Sequence, residues 1–306
     1  MPRSGVARES CGMRPLRGGA WRVPWTATMA DGSSGYSALV LAGRRGPHDA
    51  LADEVGVSHR ALIPIAGVEM LVRVVETLRA VAAIDSVAVS IDRPDLVERI
   101  ERLRPLLASG FVTVRDSAES PAASVAAYLA DTADEAEPDR ALLVTTADHP
   151  LLTPAIVDSF WSLACATEAD VAVGVVAESV FRERYPDVQR TFVRLGGEAF
   201  SGANLFAFRG PRAASAARFW TRAERHRKRP WRLVGTLGLL NLVRFALGRL
   251  DLDSTLARAS RRIGSRVALV HLPVAECAID VDRPADLALA SRLLGGLPED
   301  RVQERR

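Results

Sequence analysis

The chain has 306 residues, of which 48% are hydrophobic and 25% are charged, as in ordinary globular proteins. This length is enough for one large domain or two small ones with a sizeable buried core. The 40 basic and 37 acidic residues leave a formal net charge of +3, an excess too small to favour nucleic acid as a partner.

The three cysteines, Cys11, Cys165 and Cys277, lie far apart and form no Cys-x-x-Cys pair. This spacing argues against a disulfide framework or a zinc site and favours a reducing cytoplasm. Residues 1–34 contain no apolar core of signal-peptide length. We expect residues 1–34 to be a disordered extension, or translation to start at Met29 instead of Met1. The intact mass of the native protein would distinguish the two starts.

Apolar runs of strand length alternate with amphipathic helical stretches along most of the chain. This alternation predicts a three-layer α/β/α fold with a mainly parallel, Rossmann-like sheet covered on both faces. Strands are predicted at Tyr36–Ala42, Ser86–Ile91, Phe111–Val114, Ala141–Asp148, Asp170–Ala177, Thr191–Leu195, Asn204–Phe208, Arg266–Leu272 and Cys277–Val281. Helices are predicted to begin after Gly67 and at Pro94, Pro121, Pro154 and Pro284.

A single domain is expected over residues 35–298, with a helical insert at about 211–264 and a frayed tail at 299–306. The insert contains a basic segment, residues 222–250, that carries Arg222, Arg225, Arg227, Lys228, Arg229, Arg232, Arg244 and Arg249. A membrane-spanning helix is not expected there, because arginines are costly at bilayer depth. A solvated basic helix face, a lid that grips an anionic acceptor, or a peripheral contact with anionic lipid all fit this composition.

Asp148 closes the most apolar predicted strand and precedes His149-Pro150. Ligands of open α/β sheets bind at the carboxyl ends of the strands, so a carboxylate there faces the binding crevice. Asp280 and Asp282 alternate on a predicted strand end, which directs both side chains to one side. Carboxylates converging from distant segments favour a Mg²⁺ (or Mn²⁺) site at Asp148 and Asp280, whereas turn and cap roles are the alternative. Asp286 is expected to cap or solvate the last helix.

The loop after the first strand reads Leu41-Ala42-Gly43-Arg44-Arg45-Gly46, and a second element runs from Arg60 to Gly67. Glycines let backbone amides approach phosphates closely, and Arg44, Arg45 and Arg60 supply positive charge. The loop is neither a P-loop nor a Gly-x-Gly-x-x-Gly turn.

Four elements, in order, resemble those of the MobA-like nucleotidyltransferases. These elements are Leu41-Ala42-Gly43, then Arg60-Ala-Leu62-Ile-Pro64-Ile-Ala-Gly67, Asp148-His-Pro150, and Asp280 to Leu287. The resemblance covers about Tyr36 to Leu294 and implies a fold of the nucleotide-diphospho-sugar transferase type. Two positions depart from the family pattern, since Arg44 replaces a glycine and Arg60 replaces a lysine.

The resemblance implies transfer of a nucleoside monophosphate from an NTP to an anionic small-molecule acceptor, such as a phosphate, with release of pyrophosphate. It implies catalytic roles for Arg45, Arg60 and Asp148, and a metal held by Asp148 and Asp280. The implied nucleotide contacts are Leu41, Ala42, Gly43, Arg44, Gly46, Ser120, Pro121 and Ser124. The start of the helix at Pro121 is expected to offer free N–H groups, and Gly202 and Asn204 are expected near the acceptor. An ordinary helix cap and an ordinary hairpin are the alternatives for these two segments.

Two other functions remain compatible with the sequence. A glycosyltransferase of the same general fold would use a nucleotide-sugar, although it has less need of an arginine-rich loop. A non-catalytic sensor of nucleotide or of a membrane surface would bind NTP and release no pyrophosphate.

Overall fold

The computed structural model, which describes residues 35–44, 46, 48–132, 140–195, 197–225 and 252–295, contains one large sheet and a separate two-stranded sheet formed by residues 64–65 and 68–69. Most apolar runs of the sequence form strands of the large sheet. The strands are β1 (Tyr36–Leu41), β2 (Pro64–Ile65), β3 (Val68–Glu69), β4 (Ile84–Ile91), β5 (Val112–Asp116), β6 (Leu142–Thr146), β7 (Val171–Ala177), β8 (Val193–Leu195), β9 (Glu198–Phe208) and β10 (Val267–His271). The α-helices are α1 (Ala50–Val55), α2 (Met70–Arg79), α3 (Pro94–Glu98), α4 (Arg104–Ala108), α5 (Pro121–Asp131), α6 (Pro154–Ala166), α7 (Glu178–Arg184), α8 (Ala213–Arg225), α9 (Leu252–Ile263) and α10 (Pro284–Leu293).

The large sheet has the strand order β10-β7-β9-β6-β1-β4-β5, and β8 pairs with β9 outside this path. The pairs β1–β4, β1–β6, β4–β5 and β7–β10 are parallel. Strand β9 runs antiparallel to both of its neighbours, β6 and β7. The predicted mainly parallel α/β architecture is therefore confirmed.

Two apolar clusters cover the two faces of the sheet. Successive residues of β1 alternate between them, with Ala38 and Val40 in one cluster and Leu39 in the other, as the two-residue period of a strand requires. Helices α2 and α6 contribute to the first cluster, and α5 and α8 contribute to the second. The predicted three layers follow from this division.

Local helix-start signals were reliable predictors of helix position. Pro94, Pro121, Pro154 and Pro284 all occupy the first helical turn. Thr153 caps α6, because its hydroxyl accepts a hydrogen bond of 3.3 Å from the Ile156 amide.

Two predicted strand ends were wrong. Strand β6 ends at Thr146, so Asp148 lies in the turn two residues beyond it. The segment predicted as a strand from Cys277 to Val281 instead begins with a 3₁₀ turn, Ala275–Ala278. Its backbone bonds to a loop rather than to a strand, since the Val281 amide donates to the Asp148 carbonyl at 2.9 Å.

Several predictions fall outside the described residues: the extension at 1–34, most of the basic segment, and the tail at 299–306. The helical insert is described only at its ends, as α8 and α9. No helix in the described ranges combines the length and apolar character needed to cross a bilayer.

Asp286 has the capping role that the sequence predicted. Its Oδ2 accepts a hydrogen bond of 3.0 Å from the backbone amide of Arg283, the residue before α10. Replacing Asp286 by Ala leaves this amide without its partner and should lower the free energy of unfolding by about 1 kcal/mol. Urea denaturation measures the change, and Leu293→Ala, at an exposed position near the other end of α10, should change it by less than about 0.5 kcal/mol. Equal stability of Asp286→Ala and the wild-type protein would contradict the capping role.

Candidate active site

Backbone hydrogen bonds tie together the carboxyl ends of three adjacent parallel strands. The Ala42 amide donates to the Ser90 carbonyl at 2.8 Å, and the Ala147 amide donates to the Leu41 carbonyl at 3.0 Å. The residues that follow β1, β4 and β6 therefore lie at one edge of the sheet. This is the edge at which open α/β sheets bind their ligands.

The entry loop after β1 packs closely against the loop after β5. A Cβ added at Gly43 would lie 2.8 Å from the Ser117 Oγ, so only glycine fits this approach without a shift. The next residue, Arg44, donates from its backbone N and from its Nε to the two oxygens of Asp92, each at 3.1 Å. The buried His59 ring lies 3.0 Å from the same carboxylate. Arg44, one of the two arginines that depart from the family pattern, is thus anchored by Asp92.

A cleft of about 480 Å³ opens beside the entry loop, within the size range of small-ligand sites. Of the residues predicted to bind nucleotide, six line it: Leu41, Gly43, Arg44, Ser120, Pro121 and Ser124. Ala42 is buried, and exposed Gly46 does not line the cleft. Arg45 lies outside the described residues. The structure therefore brings most of the predicted nucleotide contacts together in one cleft.

The start of α5 is an ordinary helix cap, the alternative that the sequence left open, and its amides are not free. The Ala122 amide donates to Glu224 at 3.3 Å, the Ala123 amide donates to the Ser120 hydroxyl at 3.2 Å, and the Ser124 amide donates to the Ser120 carbonyl at 2.9 Å. The Ser124 hydroxyl accepts from the Ala118 amide at 2.9 Å. A carboxylate from α8 thus occupies the electropositive helix end that an anionic ligand would otherwise meet.

Helix α8 supplies a wall of the cleft that the sequence did not predict. Trp220 and Glu224, one helical turn apart, both line it. The Trp220 ring lies 5.1 Å from the Phe206 ring of β9, centroid to centroid. The four-residue spacing of Trp220 and Glu224 places both on one face of α8. Which cleft that face would meet depends on packing between α8 and α5, for which the sequence contains no local signal.

Three acidic residues surround the Arg60 guanidinium. Its Nε donates to Asp49 at 3.0 Å, its Nη1 donates to Asp282, and Nη1 also lies 3.6 Å from Asp148 Oδ2. Asp49 in turn caps α1 by accepting from the Ala52 amide. The hydrogen bond from Val281 to the Asp148 carbonyl brings the segment that carries Asp280 and Asp282 to this turn. Arg60 and Asp148, both predicted to be catalytic, therefore lie close together.

Asp148 lies in an environment that disfavours its charged form. Burial raises the pKa of its carboxyl to about 6, and the nearby Asp280 and Asp282 carboxylates act in the same direction, against the charge of Arg60. Its Oδ1 is buried and accepts no hydrogen bond of regular geometry among the residues that the structure describes, although the Thr146 side chain lies near enough to oppose the rise in pKa. An acceptor atom left in this state is suited to a positively charged ligand.

Asp280 is in the opposite situation. Arg190 Nη1 donates to its Oδ1, and Asn204 Nδ2 donates to its Oδ2 at 2.9 Å. Burial alone would raise the pKa of this carboxyl, but the hydrogen bond and charge of Arg190, with the Asn204 bond, hold the pKa below its ordinary value. The sequence did not identify Arg190, which lies between α7 and β8 and matches no motif.

A bulge in β9 positions the residues predicted to lie near the acceptor. Three residues of β9, 203–205, lie opposite Gly174 of β7, and Asn204 has a φ of +50°. Such irregularities often re-aim a side chain next to a functional site. Here the Asn204 side chain contacts Asp280 and also lines the cleft. Exposed Gly202 precedes the bulge, and a Cβ added there would meet nothing within 4 Å.

Residues 38–230 match the family described as the MobA-like NTP transferase domain. The chain belongs to this family. The match includes the entry loop, the α5 start and the Asp148 turn, but ends before Asp280. No curated protein sequence is similar enough to the chain to be matched.

Solved structures support the same fold. A hypothetical transferase from Thermus thermophilus is 28% identical, with a TM-score of 0.67 over 83% of this chain and 99% of that one. The 4-diphosphocytidyl-2C-methyl-D-erythritol synthase of Anaerococcus prevotii DSM 20548 is 11% identical, with a TM-score of 0.52 over 86% of this chain and 96% of that one. At that identity, the second likeness concerns the fold alone.

The carboxylates of this MobA-like domain fit a divalent cation unequally. Asp148 offers the unpaired Oδ1, which is an oxygen of the kind that Mg²⁺ prefers. Asp280 is paired with Arg190 and Asn204, so a cation at Asp280 competes with the positive charge of Arg190. No group of three or more His, Cys, Asp or Glu side chains arranged for a metal ion occurs in the part of the chain that the structure describes.

The raised pKa of Asp148 predicts how stability depends on pH. The folded carboxyl keeps its proton up to about pH 6, whereas the unfolded carboxyl loses it near pH 4. The folded state therefore binds more protons in this window, and the group lowers the free energy of unfolding as pH rises from about 4 to about 6, by about 2 to 3 kcal/mol. Asp148→Asn, which cannot ionise, should lack this fall. Urea denaturation in EDTA at several pH values measures the difference, and parallel profiles for the two proteins would refute it.

Proposed function

We propose that the protein is a nucleotidyltransferase that transfers a nucleoside monophosphate from an NTP to an anionic small-molecule acceptor and releases pyrophosphate. The observation that carries this proposal is that one cleft extends from the entry loop to Asn204. Asn204 bonds to Asp280, Asp280 lies near Asp148, and Asp148 lies 3.6 Å from Arg60. Membership of the MobA-like family supports the same class of reaction.

In this proposal the nucleotide lies in the cleft with its base towards Trp220 and the start of α5. Trp220 offers an aromatic face, and Ser120 and Pro121 border the same space. The amides at the start of α5 are already bonded, which favours a base rather than a phosphate at this end. The phosphates then lie towards Gly43, Arg44 and Arg60.

The charged residues at the phosphate end of the site orient the reacting groups. Arg60, and Arg45 from the entry loop, would stabilise the negative charge of the departing pyrophosphate. Mg²⁺ or Mn²⁺ held by Asp148 and Asp280 would supply Lewis-acid neutralisation of the phosphate charge. Gly202 and Asn204 would hold the acceptor on the β9 side. A phosphate acceptor is already ionised, so positioning and electrostatics are sufficient and no general base is required.

Two alternatives make different demands on this site. A nucleotide-sugar glycosyltransferase would consume an NDP-sugar and release no pyrophosphate. A sensor would bind NTP without turnover, and the placement of Arg44 and Arg60 in ion pairs is compatible with it. The basic segment, residues 222–250, would then contact an anionic membrane. We favour the transferase because of the state of Asp148. Its buried Oδ1 accepts no regular hydrogen bond while its Oδ2 lies 3.6 Å from Arg60 Nη1, an arrangement that a binding role does not require.

The decisive measurement is pyrophosphate release from each of the four NTPs with Mg²⁺ and a panel of sugar-phosphate, polyol-phosphate and pterin acceptors. We expect acceptor-dependent release that EDTA abolishes and that Asp148→Asn lowers by at least about 100-fold in kcat/KM, because the variant lacks the charge beside Arg60. Asp158→Asn on α6, outside the cleft, is the control and should keep wild-type activity. Tight NTP binding without release across the panel would favour the sensor, and release of NDP from an NDP-sugar would favour the glycosyltransferase.

The placement of the base is tested separately by binding. Trp220→Leu keeps an apolar side chain in α8 but removes the aromatic face, so NTP should bind roughly 5- to 100-fold more weakly, as expected for one lost base–aromatic contact. Isothermal titration calorimetry measures the dissociation constant. Trp161→Phe is the matched control, because Trp161 stacks on Tyr36 rather than lining the cleft. Unchanged affinity in Trp220→Leu would place the base elsewhere.

A further inference from the structure

The Arg190 side chain bridges the residues that border the proposed acceptor side. Its Nε donates to the Ser201 hydroxyl at 3.0 Å, and its Nη1 donates to Asp280. Ser201 precedes Gly202 in β9, while Asn204 holds the other oxygen of Asp280. One guanidinium therefore contacts both the acceptor side of β9 and a carboxylate expected to bind metal.

The ion pair between Arg190 and Asp280 is largely buried, with side-chain exposures of 15% and 14%. A buried ion pair is costly to break when one charge is left alone. Each Asp280 oxygen accepts one hydrogen bond, and the positive charge of Arg190 repels an incoming cation, so cation binding at Asp280 is favoured when Arg190 leaves Oδ1. Arg190 then requires another anion near Ser201.

We propose that Arg190 is an exchangeable counter-ion, which pairs with Asp280 until a divalent cation takes its place and then binds the anionic acceptor. The proposal deepens the proposed function and rests on it for the identity of the acceptor. Ser201, whose hydroxyl already contacts the guanidinium, would keep Arg190 on the acceptor side after the exchange.

The exchange predicts a coupling between two ligands. The cation competes with Arg190 for Asp280, and an anion that binds Arg190 relieves this competition. Each ligand must therefore raise the affinity of the protein for the other by the same factor. This coupling requires neither NTP nor turnover, so it can be measured independently of catalysis.

The test measures Mn²⁺ binding to the full-length, nucleotide-free protein by electron paramagnetic resonance, with and without inorganic sulfate as the anion. Wild-type protein should bind Mn²⁺ several-fold more tightly when sulfate is present. Arg190→Gln should bind Mn²⁺ about tenfold more tightly than wild type without sulfate, because the competing charge is gone, and should show no sulfate effect. Asp280→Asn should weaken Mn²⁺ binding in both conditions.

Two further variants separate the exchange from a loss of structure. Arg194→Gln removes a nearby arginine whose side chain is 77% exposed and pairs with Glu178, so it should behave as wild type. Arg190→Lys keeps the positive charge and should retain much of the sulfate effect. Thermal unfolding shows whether each variant is folded.

Three results would overturn the proposal. They are an Mn²⁺ affinity in Arg190→Gln equal to that of wild type, a sulfate effect that survives this substitution, and an Mn²⁺ affinity that Asp280→Asn leaves unchanged. Failure of pyrophosphate release with the coupling intact would count against the proposed function alone. Release without the coupling would count against the counter-ion exchange alone.

Discussion

Carboxylates at the carboxyl edge of the sheet, from the largely buried Asp280 to the exposed Asp282, need positive partners, and this requirement organises the site. Arg44 of the entry loop pairs with Asp92, and Arg190, before β8, pairs with Asp280. Arg60, before β2, pairs with both Asp49 and Asp282. These arginines come from separate stretches of chain. Their ion pairs therefore fix the loops around the cleft relative to one another, in addition to balancing charge.

The same requirement explains the two departures from the family pattern. Arg44 replaces a glycine but is held by Asp92 through both its backbone and its side chain, so its length does not obstruct the cleft that it lines. Arg60 replaces a lysine, and its separate Nε and Nη1 donors contact Asp49 and Asp282 simultaneously. A lysine ammonium is a compact point charge and lacks this fork geometry. Both substitutions thus fit the acidic residues around them.

What the sequence could predict was local. Helix starts at Thr153-Pro154 and the cap at Asp286 depend on residues within one turn, and the positions of most strands follow the apolar runs. The motifs also located Asp148 and Arg60 correctly at one site. The errors arose from distant partners: Glu224 reaches the start of α5 from 102 positions away, and the segment ending at Val281 bonds to the Asp148 turn instead of to a strand. Arg190 carried no signal, because an arginine in a loop matches many surface positions.

The two aspartates that the sequence treated as an equivalent pair are in different states. Burial raises the pKa of Asp148 to about 6 and leaves its Oδ1 unpaired, whereas Arg190 and Asn204 lower the pKa of Asp280 and engage both of its oxygens. Asp148 is thus the carboxylate with an oxygen available, and Asp280 is the one at which a cation must compete with Arg190. In a reaction that needs both, the readiness of the site depends on Arg190. An arginine that leaves a carboxylate only when another anion is near would make cation binding at Asp280 responsive to the presence of the acceptor.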